Sequence, residues 1–129
     1  MPAGVIEVAA GLVEREGRIL ITQRKPGSHL AGLWEFPGGK REPAETWEDC
    51  LVRELREELA ITVAVGPLRH ETVHRYPEKT VHLRFYAATL VSGEPQAIDC
   101  AAIAWVLPGE FSGYAFPEAD RELVDALSR

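Results

Sequence analysis

Acidic side chains crowd one short stretch of this sequence. From Glu42 to Glu58 stand seven acids (42, 45, 48, 49, 54, 57 and 58) and two arginines (53 and 56), a local net charge of −5 in a chain of −6 overall. A Glu/Arg-rich helix is ordinarily a solvated face laced with i,i+4 pairs, and Arg53 with Glu57 fits that reading. Glu54 and Glu58 do not, because they are a like-charged i,i+4 pair with Glu57 beside them. They also fall in the C-terminal half of the helix, where the dipole disfavours anions. Each such clash costs about a few tenths of a kcal/mol. A divalent cation held by the three carboxylates would reverse the sign of that cost. Hard ions such as Mg²⁺ or Mn²⁺ prefer carboxylate and carbonyl oxygens. Spacing alone leaves a metal site and a solvated face evenly matched.

The register from Gly39 to Ile61 decides between them. GKREPAETWEDCLVRELREELAI resembles the Nudix box, G-x5-E-x7-R-E-U-x-E-E-x-G-U, where U is aliphatic. Gly39, Glu45, Arg53, Glu54, Leu55, Glu57, Glu58 and Ile61 occupy eight of its nine defined positions, and Ala60 stands where the family has glycine. That glycine helps the chain leave the helix, so alanine bears on the exit turn and on no charged position. The resemblance implies an α+β domain with the Nudix fold, an α/β/α sandwich around a mixed β-sheet. It also implies metal-dependent hydrolysis of a nucleoside diphosphate linked to another moiety, with Mg²⁺ as cofactor and Mn²⁺ as an option. By position, Glu54, Glu57 and Glu58 would be metal ligands, joined by the backbone carbonyl of Gly38 or Gly39. Glu54 or Glu58 would help activate water. Arg53 would hold the carboxylates, and Glu45 would steady the loop through a hydrogen bond to Arg53. A metal that neutralises the diphosphate and acidifies water, with a carboxylate to take the proton, is sensible chemistry for such a cluster.

Outside the box the chain resembles the MutT branch, which removes pyrophosphate from oxidised or modified nucleoside triphosphates. Trp34-Glu35-Phe36-Pro37-Gly38-Gly39-Lys40 is similar to the MutT lead-in to the box. Arg24 is a candidate for phosphate or base-edge contact, evenly matched with a surface ion pair. Phe36 is a candidate to flank the base, although an apolar residue before a turn is more often core. Tyr76-Pro77-Glu78-Lys79 resembles the MutT hairpin that reaches toward substrate, with Lys79 as a phosphate contact, although a turn lysine is usually just solvated. Asp99, six residues before Trp105, stands where MutT-like enzymes place an extra acid that joins the metal site; the plain alternative is a loop acid. Asp120, in Phe116-Pro117-Glu118-Ala119-Asp120, stands where MutT has an asparagine that reads the base. A carboxylate only accepts hydrogen bonds, so Asp120 favours bases that present N–H donors, unless desolvation protonates it and restores a donor. An acid in the first turn of a helix is also ordinary. Among the four histidines, only His29, in the loop before Trp34, is a candidate for substrate contact.

These side chains must be positioned by a compact set of elements. The clearest is a helix over Trp47–Leu59, capped by Thr46 with Asp49 three residues on, and buried along Leu51, Leu55, Leu59 and Val52. Strands are expected at Gly4–Val13, Arg18–Arg24, Ile61–Val65, Leu68–Tyr76, Thr80–Leu90 and Ala101–Leu107. Polar turns would link them at 14–17, 77–79 and 92–95, and Lys25–Gly32 reads as a loop. Leu33–Phe36 is a short apolar piece running into the turn residues Pro37-Gly38-Gly39. A final helix spans about Glu118 to Leu127, with Leu123, Val124 and Leu127 inward. No repeat or low-complexity segment argues for a second domain, so residues 1–129 are read as one.

Composition sets the outer limits. An acidic chain is not suited to stable binding of nucleic acid or an anionic membrane, and no apolar run reaches the length of a bilayer span. The N-terminus lacks a basic region and Glu7 interrupts its apolar run, so it reads as a strand and not as a signal peptide. Cys50 and Cys100, without a CxxC, read most simply as reduced thiols, which fits the cytoplasm. The expected partner is a small nucleotide, handled by a monomer or homodimer. The leading expectation is Mg²⁺-dependent hydrolysis of a modified (d)NTP, 8-oxo-dGTP-like or CTP/5-methyl-dCTP-like, to the monophosphate and pyrophosphate in nucleotide-pool sanitation. The rivals are action on another diphosphate, such as a nucleotide sugar or dinucleotide, and a non-catalytic Nudix sensor.

Overall fold

A computed structural model describes residues 4–129. In chain order it contains β1 (Ile6–Arg15), β2 (Arg18–Gln23), β3 (Trp34–Glu35), β4 (Gly38–Lys40), α1 (Trp47–Leu59), β5 (Thr62–Tyr76), β6 (Lys79–Ser92), β7 (Ala102–Val106) and α2 (Arg121–Leu127). β1 is the hub of a mixed sheet. It runs parallel to β6 and antiparallel to β2 and β4, while β5 adds to β6, and β3 and β7 add to β2.

Alternation along β1 divides the interior in two, because successive side chains of a strand point to opposite faces. Ala9 and Val13 join Leu51, Leu55 and Leu59 of α1 in one core cluster. Ala10 and Leu12 join Phe36, Phe85, Phe111 and Leu123 in the other, under α2. The result is the α/β/α arrangement expected around a mixed sheet. Leu51, Leu55 and Leu59 are fully buried, each contributing about 2 kcal/mol of hydrophobic stabilisation.

α1 has the bounds its pattern predicts. Thr46 Oγ1 accepts the Asp49 N–H at 3.0 Å. The helix ends at Ala60, which is left-handed at φ 59 and donates its N–H to the Arg56 carbonyl at 3.1 Å. Alanine therefore makes the turn that glycine makes most easily.

Five expectations are corrected. β1 runs on to Arg15, because Glu16 (φ 53) and Gly17 (φ 78) alone suffice for the turn into β2. Gly38-Gly39-Lys40 is a strand paired with β1 rather than a turn, and only glycine fits at 38, where a Cβ would lie 2.0 Å from the Ala9 carbonyl oxygen. The two expected strands at 61–65 and 68–76 are one strand, β5, whose register slips around Gly66-Pro67 without breaking. The turn at 92–95 does not make a hairpin, because β7 pairs with β2 and not with β6. Instead the 93–101 segment crosses the end of α1, giving the Gln96 N–H to Leu59 and those of Ile98 and Asp99 to the Glu58 carbonyl. The last helix is split as well: Glu118–Asp120 is a 3-10 turn and α2 starts at Arg121.

Candidate active site

The chemistry of the site begins where β4 passes under α1. Gly39 has no side chain because the Glu54 carboxyl occupies that space; a Cβ there would fall 2.1 Å from it. Arg53, one residue earlier on the helix, is a four-way clip. It donates to Glu45 through Nε (2.7 Å) and Nη2 (3.0 Å), to Glu54 at 2.9 Å, to Glu57 at 3.3 Å and to the Lys40 carbonyl at 3.1 Å. Glu45 in turn accepts the Glu42 N–H at 3.1 Å. The Arg53 hydrogen bonds hold the Glu45 carboxyl down at about 2, and their mutual contact pushes the guanidinium further up.

Glu54 and Glu58 line a cavity of about 350 Å³ between the sheet and the loops, together with Gly38 and Gly39. This falls within the usual range for a small-molecule site. Burial, then the neighbouring Glu54, Glu35 and Asp99, push the Glu58 carboxyl up to about 8, and burial raises Glu54 too. A second acidic centre sits in the same cavity at Asp120, which is buried and pushed up to about 7 by desolvation and by Glu35. Glu35 adds to the upward push on both Asp120 and Glu58. Burial raises its own pKa against the pull of Arg24, whose Nη1 donates to it at 3.0 Å.

The profile of the NUDIX domain family matches residues 8–126. The chain belongs to the Nudix family. It is 41% identical to a CTP pyrophosphohydrolase of Escherichia coli K12, over 95% of this chain and 91% of that protein. An 8-oxo-dGTP diphosphatase of Haemophilus influenzae is 36% identical over 98% of this chain and 94% of the relative. Among solved structures, MutT from Methanosarcina mazei Go1 superposes with a TM-score of 0.87 at 25% identity, over 100% of this chain and 96% of that one. These likenesses put the protein among the MutT-like Nudix hydrolases, and Nudix hydrolases generally need a divalent metal.

Within the Nudix box, the structure separates residues that the spacing groups together. Glu54 and Glu58 face the cavity, whereas Glu57 is exposed and turned to Arg53, its i,i+4 partner. Asp99 lies against the end of α1, with its backbone N–H on the Glu58 carbonyl, but its carboxylate pairs with Lys25. Among the described residues, no three His, Cys, Asp or Glu side chains are already drawn into a ligating arrangement. The donors themselves suit a hard divalent cation: carboxylate and carbonyl oxygens, beside a Glu58 carboxyl that burial and then its acidic neighbours push up to about 8.

Outside the box, Arg24, His29, Tyr76, Lys79 and Asp120 all line the cavity. Arg24 is already committed, to Glu35 and, through Nε, to the His29 carbonyl. His29 Nε2 is buried without a hydrogen-bond partner, and the ring stands edge-on to Tyr76 at 5.0 Å. Phe36 contributes to the cavity wall, yet its ring is buried and stacked on Phe116 at 5.5 Å, so packing claims most of it. Sequence reasoning passed over Glu35 and Lys40, which also line the cavity. The signal for Glu35 was available: an acid inside the apolar run Leu33–Pro37 is costly to bury unless it is paired or used.

Proposed function

We propose that this protein hydrolyses modified nucleoside triphosphates, 8-oxo-dGTP-like or CTP/5-methyl-dCTP-like, to the nucleoside monophosphate and pyrophosphate. The observation that carries this reading is a single cavity with two acidic centres. Glu54 and Glu58 suit a metal-bound diphosphate, and the buried Asp120 in the same cavity suits the edge of a base. Glu54, Glu57 and Glu58, with Asp99 and the carbonyl of Gly38 or Gly39, would hold Mg²⁺. When bound, the cation supplies neutralising charge for the phosphates and makes water more acidic.

The chain's own groups do the rest. Arg53 fixes Glu54 and Glu57 in place. Lys79 and Lys40, neither in an ion pair among the described residues, face the cavity and meet the phosphate tail. Water attacks the β-phosphorus and its oxygen enters pyrophosphate. The bond from the β-phosphorus to the bridging oxygen breaks, and the monophosphate leaves with that oxygen. Glu54 or Glu58 takes the proton. Asp120 accepts from base N–H groups when ionised, and also donates when protonated.

The test is a panel of 8-oxo-dGTP, dGTP, CTP, 5-methyl-dCTP and dATP with Mg²⁺, with release of pyrophosphate measured against phosphate. Cleavage of one or more to pyrophosphate is expected, and cleavage of none overturns the proposal. Glu54→Gln is expected to remove turnover while circular dichroism and melting stay native. Turnover at the wild-type rate by that variant sinks the mechanism.

A further inference from the structure

The loop that carries Glu45 is tied down by a group outside the box-defined residues. Arg41 follows β4 directly, and its backbone N–H donates to the Glu7 carbonyl at 2.8 Å, extending the β1–β4 ladder by one bond. Its guanidinium spreads in three directions. Nη2 bonds the Glu7 carboxylate, Nη1 donates to the Glu45 backbone carbonyl at 2.7 Å, and the plane lies over the Trp47 ring at 5.4 Å. Arg84 of β6 lies 4.4 Å from the same ring, and Glu71 of β5 accepts from Arg84 Nε at 2.7 Å. Trp47, the first residue of α1, thus meets two guanidinium groups, each fixed by a carboxylate on the sheet.

These contacts lead to the reactive end of the helix in short steps. Arg41 holds the backbone of Glu45, the Glu45 carboxylate orients Arg53, and Arg53 donates to Glu54 and Glu57. We propose that Arg41, anchored by Glu7 and Trp47, is a positioning residue for the metal-binding carboxylates. The proposal rests on the reading of Glu54, Glu57 and Glu58 as metal ligands. A planar guanidinium is suited to the task, since it can bond two carbonyl or carboxyl groups in a fixed fork while stacking on a ring. Partners that orient metal ligands typically matter about 10- to 100-fold in metal affinity or activity.

The experiment measures Mn²⁺ binding to the protein by electron paramagnetic resonance, alongside kcat and KM at saturating metal. Arg41→Met is expected to weaken Mn²⁺ binding about tenfold and lower kcat, with nucleotide KM little changed. Glu7→Gln, which keeps the guanidinium but removes the charge of its carboxylate anchor, is expected to shift both in the same direction by less. Circular dichroism establishes that each variant is folded; if Arg41→Met is not, Glu7→Gln decides alone. Folded variants with wild-type Mn²⁺ affinity and kcat overturn the proposal, whatever their melting temperatures. Glu54→Gln serves as the control. Wild-type protein that binds Mn²⁺ no better than Glu54→Gln overturns the metal-site reading itself, and the positioning role falls with it.

Discussion

At Asp120, burial and then the nearby Glu35 bring both protonation states of an ordinary carboxyl within reach near neutral pH. With its carboxyl at about 7, Asp120 donates and accepts below that pH and only accepts above it. In the proposed reaction, base preference should therefore drift with pH. The ratio of kcat/KM for 8-oxo-dGTP over CTP is expected to change between pH 6 and pH 8, because only the protonated form can donate to an acceptor on the base and the two bases offer different edges. Taking a ratio cancels the titration of Glu58, which both substrates share. In Asp120→Asn, an amide donates and accepts at every pH, so the ratio should be flat; a wild-type ratio independent of pH removes Asp120 from base reading. Gly39 gives a sharper result. Gly39→Ala places a methyl where the Glu54 carboxyl sits, and turnover is expected to fall about 100-fold or more if that carboxyl is misplaced. Unchanged turnover would show that Glu54 has room to spare. The box carboxylates were legible in the sequence because a fixed register on a helix fixes their relative direction. The partners that divide their roles were not, since Lys25 meets Asp99, and Arg24 meets Glu35, through loops whose paths no periodicity encodes.

At the scale of elements, α1 was legible to the residue, since a capped helix with leucines every fourth position carries its own start, stop and inner face. β4 and the 93–101 segment were not. Two glycines before a polar stretch look like a turn, and only the close approach of the Ala9 carbonyl at Gly38 explains why they form a strand. The long β5 misled for a similar reason, because Gly66-Pro67 punctuates a sequence without stopping a strand whose partner simply shifts register. The Ala60 turn yields an element-scale prediction. A left-handed alanine is less favourable than glycine by about 1 kcal/mol, and glycine at 60 keeps the same bond to Arg56. Greater chain entropy in the unfolded state offsets part of that gain. Ala60→Gly is thus expected to raise the melting temperature by about 2–4 °C with kcat unchanged. A lower melting temperature would mean that the helix exit is not strained.

For the molecule as a whole, the acids gathered in one cavity couple stability to pH and to metal. Glu58 at about 8 and Asp120 at about 7 both lie above their ordinary values of 4.5 and 3.8, and Glu54 and Glu35 are raised as well. A raised folded pKa means that the folded state keeps protons the unfolded chain has already released. The stability from these groups is complete below their ordinary values and is lost as pH rises through the folded ones. Glu45, held down at about 2, works in the opposite direction, but its contribution is already complete above pH 5 and does not change between pH 6 and 8. The metal-free protein should therefore lose stability across that interval. A divalent cation on Glu54 and Glu58 competes with the same protons, so its stabilising increment should grow with pH, by up to about 1.4 kcal/mol per pH unit for each proton displaced. Melting curves with saturating Mg²⁺ and with a chelator, at pH 6 and pH 8, measure this increment directly. It is expected to be larger at pH 8 by several degrees, and Glu58→Gln should remove most of the difference. An increment that is equal at the two pH values, or larger at pH 6, would mean that the cation does not displace protons from the cavity acids and is bound elsewhere.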